Sequence, residues 1–496
     1  MSIRVCILGQ ANPFTWHGHY VRAFRRHCEV ITIGPNPGPE ILKGWGRDHL
    51  AHLVDPNDIE VDLGSVDDLH AILPSGWRPH LVVSISGGGV PMFTKTASLA
   101  CPTVFLSIDT WQCLMEYNEA IHYDLVFAAQ RAYIPYLRAT GSRHVHWLPL
   151  ACAPDAHYPV DVPKRFDISF VGAATMPVHR ERARLLHLLA DHFSVEALER
   201  VHGEDYCRHM CGGRLAFNHS AIEDLNMRIF EALAMGCPLL TNRSSAFNGL
   251  LDLFEEGKHL IVYESDEDLI DKTREYLNNP AVCEAVGRAG KDEVLKKHTY
   301  DQRVREILDT VRKHFPGFDQ EAPAPRQPGD SLCEYLPRIP GTVMDFGMNL
   351  EASKYALRRR GVTLLVGISP SDARREQRMR SYDLAYREEP AGWRGKVDTV
   401  VLSDLTQWDT ADEMVRLAQS ILCEGGSLVA RIPADRIVTE AIGRCPELMA
   451  RWFHERDFHV TDIRATTGSQ NIVTARKRIR MLRDVVVETF SNLQVP

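Results

Sequence analysis

The sequence predicts an α/β protein built from doubly wound, parallel sheets, and three observations carry the prediction. Apolar runs of strand length alternate with helix-length segments through the first 314 residues, an order that sets strands side by side in a sheet covered on both faces. The chain has 496 residues, which at roughly 150 per domain suggests about three domains. A Pro- and Gly-rich stretch, FPGFDQEAPAPRQPGD, interrupts the pattern before a further alternating segment begins.

The elements follow in order. IRVCILG (Ile3 to Gly9) is a compact apolar run closed by glycine, and HYVRAFRRHCEVITIG then reads helix and strand, which starts a β-α-β unit. Strands are expected at His80 to Ser86, Thr103 to Asp109, Tyr123 to Ala129 and His144 to Leu150. A second cycle opens at FDISFVGAA, continues through the helical ERARLLHLLADHF, and reaches PLLTN and HLIVYE. Helical text from Glu267 to His314 closes it. Beyond the break, TVMDFG, TLLVGIS, DTVVLSDL and GGSLVARIP give another alternating domain, and RKRIRMLRDVVVETF reads as a basic, helix-like tail. The expected boundaries are a first lobe at 1–155, a second at 156–315, a linker at 316–333, a third domain at 334–476 and the tail at 477–496.

Composition narrows the function classes. Hydrophobic residues make up 44% and charged residues 25%, as in ordinary water-soluble globular chains. A formal net charge of -8 argues against a partner held by bulk positive charge and leaves nucleic acid only as a specific substrate. No apolar run approaches the roughly 18 residues needed to span a bilayer, and the first residues lack a signal-peptide pattern, so the expected location is cytoplasmic. The twelve cysteines lie mostly inside apolar runs and read as small core residues of a reducing compartment. Cys207-Arg-His209-Met-Cys211 lacks the second ligand pair a structural zinc site needs, and the acidic pair at Asp67 and Asp68 reads as a helix start; no metal is expected.

The stretch AIEDLNMRIFEALAMGCPLL concentrates the chemistry. Asn226 is placed to cap a helix that Gly236 and Pro238 stop, which puts Glu223 in the loop before it, Arg228 in its first turn and Glu231 in its second. A helix start offers unpaired N–H groups and positive dipole character, suited to a phosphate or diphosphate. Arg228 there opposes the dipole and makes sense beside a diphosphate. The alternative is that both glutamates are solvated charges, worth a few tenths of a kcal/mol.

Glu223, seven residues and then Glu231 resembles the E-x7-E motif of GT-B glycosyltransferases. LPLACAPDAHYPV, DISFVGAATMPVHRER, NMRIFEALAMGCPLLTN, GLLDLFEEGKHLIVY and HTYDQRV occur in the order seen in CgeB-like (spore-maturation type, family 4/1-like) glycosyltransferases, a resemblance that covers about Val145 to Arg303. It implies a GT-B fold of two tandem Rossmann-like lobes, with a nucleotide-diphosphate sugar as donor substrate. The acceptor would be a protein, glycan, modified nucleic acid or small molecule. Carried over by position, Glu231 binds the donor ribose and Glu223 the transferred sugar or its phosphate. After Glu223 this chain has Asp224-Leu225-Asn226 where the motif usually runs E-G-F-G.

Gly172 and Ala173 resemble the glycine turn that lets a backbone approach the diphosphate. Arg180 or Arg182 would neutralise it; alternatively they form a solvated helix face. On the acceptor side, His17 and His19 lie in GQANPFTWHGHY (Gly9 to Tyr20), read as a long loop after the first strand, as candidates to face the donor sugar; Asp109 ends a strand as a candidate base, and Ser86 to Gly89 end another. The resemblance implies metal-independent transfer with retention; with inversion Asp109 becomes the base.

The last domain resembles a class I methyltransferase in the order of its strands. Asp345 and Gly347 fit that pattern, but the glycine-rich turn reads Gly347-Met348-Asn349-Leu350-Glu351 and Ser369 stands where an acid would hold ribose. The expectation is a degenerate domain that does not bind S-adenosylmethionine. The alternatives are a bifunctional glycosyltransferase and methyltransferase, or a decayed sugar-nucleotide-binding scaffold.

Overall fold

A computed structural model of the chain describes residues 2–12, 15–44, 48–66, 68–86, 92–93, 96, 99–110, 113, 115–174, 179–220, 224–320, 322–323, 336–337, 340–348, 350, 357, 362–378, 381–388, 392–403, 411–433, 446–456, 458–465 and 470–477. Glu223, Gly87 to Gly89, Asn349, Glu351, most of the linker at 316–333 and the tail beyond 477 lie outside the described residues.

Three sheets organise the molecule. The first holds β1 (Arg4–Leu8), β2 (Glu29–Gly34), β3 (Ile59–Glu60), β4 (Leu81–Ile85), β5 (Thr103–Ser107), β6 (Leu125–Ala128) and β7 (Val145–Trp147), in the order β3-β2-β1-β4-β5-β6-β7 and parallel throughout. β4 and β5 are buried at every position, as a central strand covered on both faces requires. Asp68, expected as a helix start, accepts a bond from the His70 N–H and opens the short helix Leu69–Ile72.

The second sheet holds β8 (Phe166–Val171), β9 (Val195–Leu198), β10 (Gly213–Asn218), β11 (Leu239–Asn242) and β12 (Ile261–Tyr263), in the order β12-β11-β10-β8-β9, again parallel. β9 and β10 are absent from the sequence reading, although β10 is central. Its text, GRLAFN, follows the helix Gly203–Gly212 without a loop.

The lobes are sewn together at their crossover. The helix Tyr300–His314 packs on the helix Trp16–His27 of the first lobe. Arg303, buried in that contact, donates from Nε to the Pro149 carbonyl at 2.6 Å and from Nη2 to the Leu150 carbonyl at 3.2 Å. Cys152 and Tyr300 add backbone bonds across the same seam, and one apolar cluster runs unbroken from β1 to Val311. At the carboxyl ends of the strands the lobes meet again: the Leu225 N–H donates to Gln130 Oε1 at 2.9 Å, and Arg131 pairs with Asp252 while lying over the Trp147 ring.

The third sheet holds β13 (Gly341–Phe346), β14 (Val362–Ile368), β15 (Leu384–Tyr386), β16 (Val397–Leu402), β17 (Leu422–Pro433), β18 (Phe458–Ala465) and β19 (Gln470–Lys477). Its order is β15-β14-β13-β16-β17-β19-β18, with β19 antiparallel to both neighbours. It docks on the first lobe through Arg143 with Asp398, the Arg476 guanidinium with the Gly141 carbonyl at 3.4 Å, and His122 edge-on to His459 with ring centroids 5.7 Å apart. His122, Gly141 and Arg143 precede β6 or β7, while Asp398 and His459 stand at the start of β16 and β18. The two sheets therefore meet at the amino-terminal ends of their parallel strands.

Candidate functional site

The amino-terminal end of the helix Met227–Ala234 meets the carboxyl ends of β8 and β10. Asn226 occupies the cap position with extended backbone (φ -75°, ψ 163°), as its residue type predicts. Its side chain makes no capping bond, which corrects the expected use of that amide. Nδ2 instead donates to Asn218 Oδ1 at 3.0 Å and to Ser220 Oγ at 3.2 Å, so Asn226 ties the helix start to β10 and leaves the first N–H groups without a side-chain cap.

Arg228 reaches back over β8. Its Nε donates to the Val171 carbonyl at 2.8 Å, its Nη1 donates to Asn218 Oδ1 at 2.9 Å, and its guanidinium carbon lies 4.4 Å from the centre of the Phe170 ring. Gly172 lies directly under it with φ +150°. A Cβ there would stand 1.9 Å from Arg228 Nη2, so only glycine leaves room for the guanidinium.

Arg182 is only 5% exposed, and its three donors go to backbone: Nη1 to the Ala173 carbonyl at 2.7 Å, Nε and Nη2 to the His219 carbonyl at 3.1 and 2.9 Å. This overturns the picture of Arg182 on a solvated helix face. Its role is to clamp the turn after β8 to the turn after β10. Arg180, one step earlier on the helix Arg180–Ala190, is exposed, and Ala173 is exposed with its N-terminal neighbour Gly172 beneath Arg228. Burial pushes the Arg182 pKa down to about 10, and the Arg228 pKa is lowered by the same cause. Both stay cationic at neutral pH. Among the described residues neither forms an ion pair; their bonds go to neutral oxygens. Two guanidinium charges thus stand beside a helix start at a strand-end turn, an arrangement that attracts a polyanion.

Glu231 lies one turn further along and points toward the helix Gly203–Gly212. Oε2 accepts the Tyr206 hydroxyl at 2.7 Å, and Oε1 lies 3.4 Å from His157 Nε2, whose Nδ1 accepts the Ala153 N–H at 3.2 Å. The carboxylate is 12% exposed and both its oxygens are oriented. Tyr206, His157 and Asn218 escaped the sequence reading. Asn218 was hidden with its strand, and His157 and Tyr206 carry no spacing that marks them before the fold brings them to Glu231.

On the first lobe, His19 stacks on Tyr300 at 5.1 Å and stands edge-on to His157 at 5.2 Å, while Nδ1 lies 2.6 Å from Arg22 Nη2. His19 therefore belongs to the seam between lobes and reaches Glu231 through His157. His17 presses its ring on Gly9, where a Cβ would lie 2.6 Å from His17 Cδ2. Burial lowers the His17 pKa to about 4 and holds the ring neutral. Asp109 stands just past β5, half-buried, at the carboxyl end of the sheet. The structure thus gathers Gly172, Ala173, Arg182, Asn226 and Arg228 at one turn, sets Glu231 beside them, and leaves Asp109, His17 and His19 on the opposing lobe.

Cys207, His209 and Cys211 form no ligand set: His209 Nε2 lies 3.2 Å from the Glu196 carbonyl, and among the described residues no group of three His, Cys, Asp or Glu side chains could hold a metal. No described helix is long and apolar enough to cross a membrane.

Residues 164–309, the segment that carries Arg182, Arg228 and Glu231, match the model of a family described as glycosyl transferase-like. No curated protein matches the chain. Similar solved structures include a sucrose-phosphate synthase from Thermosynechococcus elongatus, at 13% identity over 63% of this chain and 98% of that one, with a TM-score of 0.43. A glycosyltransferase from Rickettsia africae is similar at 10% identity over 63% and 98%, with a TM-score of 0.44. HepE of Anabaena, in complex with UDP-glucose, is similar at 12% identity over 63% and 100%, with a TM-score of 0.42. On the family match, the chain carries a glycosyltransferase-like segment at residues 164–309.

Proposed function

We propose that the chain transfers a sugar from a nucleotide-diphosphate sugar to an acceptor hydroxyl bound between the first two lobes, and that it follows the CgeB-like pattern. The observation that carries this reading is the pair of guanidinium groups, Arg182 and Arg228, that form no ion pair among the described residues and stand around Gly172 at the start of the helix Met227–Ala234. Breaking the anomeric C–O bond places negative charge on the departing diphosphate, and fixed cations at a helix start stabilise it without a metal. Glu231, held by Tyr206 and His157, keeps one lone pair on each oxygen for the ribose hydroxyls. Glu223 is assigned the transferred sugar by its place in the motif. Retention needs no dedicated base, since the leaving phosphate assists the acceptor; with inversion, Asp109 takes the proton. The free cysteines among the described residues fit a reducing, cytoplasmic setting.

The 334–476 segment is proposed as a methyltransferase-like appendage. Its strand order, with β19 running antiparallel between β17 and β18, supports the likeness. The docking at amino-terminal strand ends speaks against a bifunctional enzyme, because it does not join the carboxyl ends of the third sheet to those of the first two lobes. Thermal shift and donor hydrolysis with a panel of nucleotide sugars test the main reading. At least one donor should stabilise the protein, and Glu231→Ala should abolish that effect; if no donor stabilises it and Glu231→Ala changes nothing, the reading fails.

A further inference from the structure

Glu116 is a buried carboxyl group that the proposed transfer chemistry leaves unused. It lies in the helix Met115–Ala120, is 1% exposed, and joins the carboxyl ends of two central strands. Ser86, just past β4, donates its hydroxyl to Oε1; Ser107, the last residue of β5, donates to Oε2 and lies 2.7 Å from the Thr110 hydroxyl. The Asp109 backbone N–H bonds the same carboxyl. Ser86, Ser107 and Thr110 are all buried, so these bonds are shielded from water. On its other side, Ser86 accepts the Trp16 indole N–H through its carbonyl at 3.0 Å.

We infer that Glu116 is the positioning residue of the acceptor side: it locks the ends of β4 and β5 together and fixes the peptide that presents Asp109 to the cleft. The inference rests on the glycosyl-transfer reading, with Asp109 at the acceptor hydroxyl, for its effect on turnover, and on geometry alone for the lock itself. Its ionisable neighbours are Asp109 from the strand end, Cys113 from the preceding turn and Tyr117 from its own helix. Burial raises the Glu116 pKa to about 7, against the lowering by Ser107 and Ser86. The lock therefore changes charge in the neutral range, and the strand ends feel it. Glu119, one turn on, is also raised to about 7 by burial, but it serves a different contact, accepting the Met92 N–H at 3.1 Å.

The Trp16 indole reports on the lock without any ligand. In the 15N-labelled full chain, with the resonance assigned by its loss in Trp16→Phe, it should titrate with a midpoint of about 7 in the native protein and in Glu119→Gln, and not in Glu116→Gln. Ser107→Ala keeps the carboxyl and removes a bond that favours its ionised form, so the midpoint should rise. With a donor that binds, Glu116→Gln should keep the donor-induced thermal shift while turnover falls about tenfold and loses its pH step, an effect of the size seen for orienting partners. A Trp16 titration that survives Glu116→Gln, or native turnover and pH profile in that variant, overturns the inference. If no donor binds the native protein while the Trp16 titration vanishes in Glu116→Gln, the transfer reading fails and the lock stands.

Discussion

Arg228 Nη2 occupies the space that a side chain at Gly172 would need: a Cβ at 172 would lie 1.9 Å from it. The guanidinium cannot swing aside, because Nε and Nη1 are committed to the Val171 carbonyl and Asn218 Oδ1. Gly172→Ala should therefore cost about 2 kcal/mol through the displaced contact and the positive φ. It should also abolish the donor-induced thermal shift. Urea denaturation measures the first effect. A variant with native midpoint and native donor response would mean that Arg228 is not pinned.

Tyr206→Phe removes the hydroxyl that orients Glu231 Oε2 and leaves the ring in place. A lost hydrogen bond to a charged group is worth about 1.5 kcal/mol or more, so donor affinity should fall roughly tenfold, with little effect on the rate at saturating donor. Calorimetric titration with the best donor of the panel checks this. A fall in rate without a fall in affinity would place Tyr206 elsewhere in the reaction.

The strand and helix order was legible because parallel strands, buried on both faces, are written as unbroken apolar runs. β1, β4, β5 and β8 fall inside the predicted stretches. β10 was not legible: it begins at the residue after a helix ends, so no turn signal separates GRLAFN from the helix before it. The helix start at Asn226 was readable from its residue type, whereas the use of its amide was not, because the competing acceptors Asn218 and Ser220 belong to the strand that was missed. For Arg182 the sequence left open a cation beside the diphosphate or a solvated helix face. Its burial is a tertiary effect of two turns converging, which one-dimensional text does not record.

Acidification should weaken the fold through His17. Its pKa in the fold is about 4, below the usual value of about 6.5 that the unfolded chain shows, so between those values the unfolded state binds the extra proton. The stability is full above about pH 6.5 and falls as pH drops toward 4, by at most about 1.4 kcal/mol per pH unit for one such group. Glu116 acts in the opposite sense: its raised pKa contributes stability that is full below the unfolded value and is lost as pH rises through about 7. Urea midpoints between about pH 7 and 5 should thus fall in the native chain and fall less in His17→Gln. Equal slopes in the two proteins would remove His17 from the account.

Arg143 and Asp398 join the third domain to the first lobe and are both about one-fifth to one-quarter exposed. Reversing one charge, Arg143→Glu, should loosen the docking by about 1 kcal/mol or more and speed proteolysis between His314 and β13. The double variant Arg143→Glu with Asp398→Arg should restore protection. Because this contact lies at the amino-terminal strand ends, away from Arg228 and Glu231, the donor-induced thermal shift should be the same in all three proteins. A lost donor response in Arg143→Glu would show that the third domain does act on the cleft.

Described side chains crowd the strand ends of the third sheet. Asp345 Oδ2 accepts the Leu350 N–H at 3.0 Å and the Tyr382 hydroxyl. Met348, at φ +52° and fully buried, lies so close to β14 that a Cβ on Gly367 would stand 2.8 Å from its Cγ and Cε. Ser369 is buried, accepts the Ser371 N–H at 3.3 Å, and brings no charge to hold a ribose. A ligand with a Kd of about 10 μM, present at about 1 mM, would stabilise its site by about 2.7 kcal/mol. S-adenosylmethionine at that concentration should produce no thermal shift and no calorimetric signal. Ser369→Asp alone should not create binding, since Met348 and Tyr382 still occupy the strand end. Micromolar binding by the native chain would show that these side chains move aside, and would return the bifunctional reading to first place.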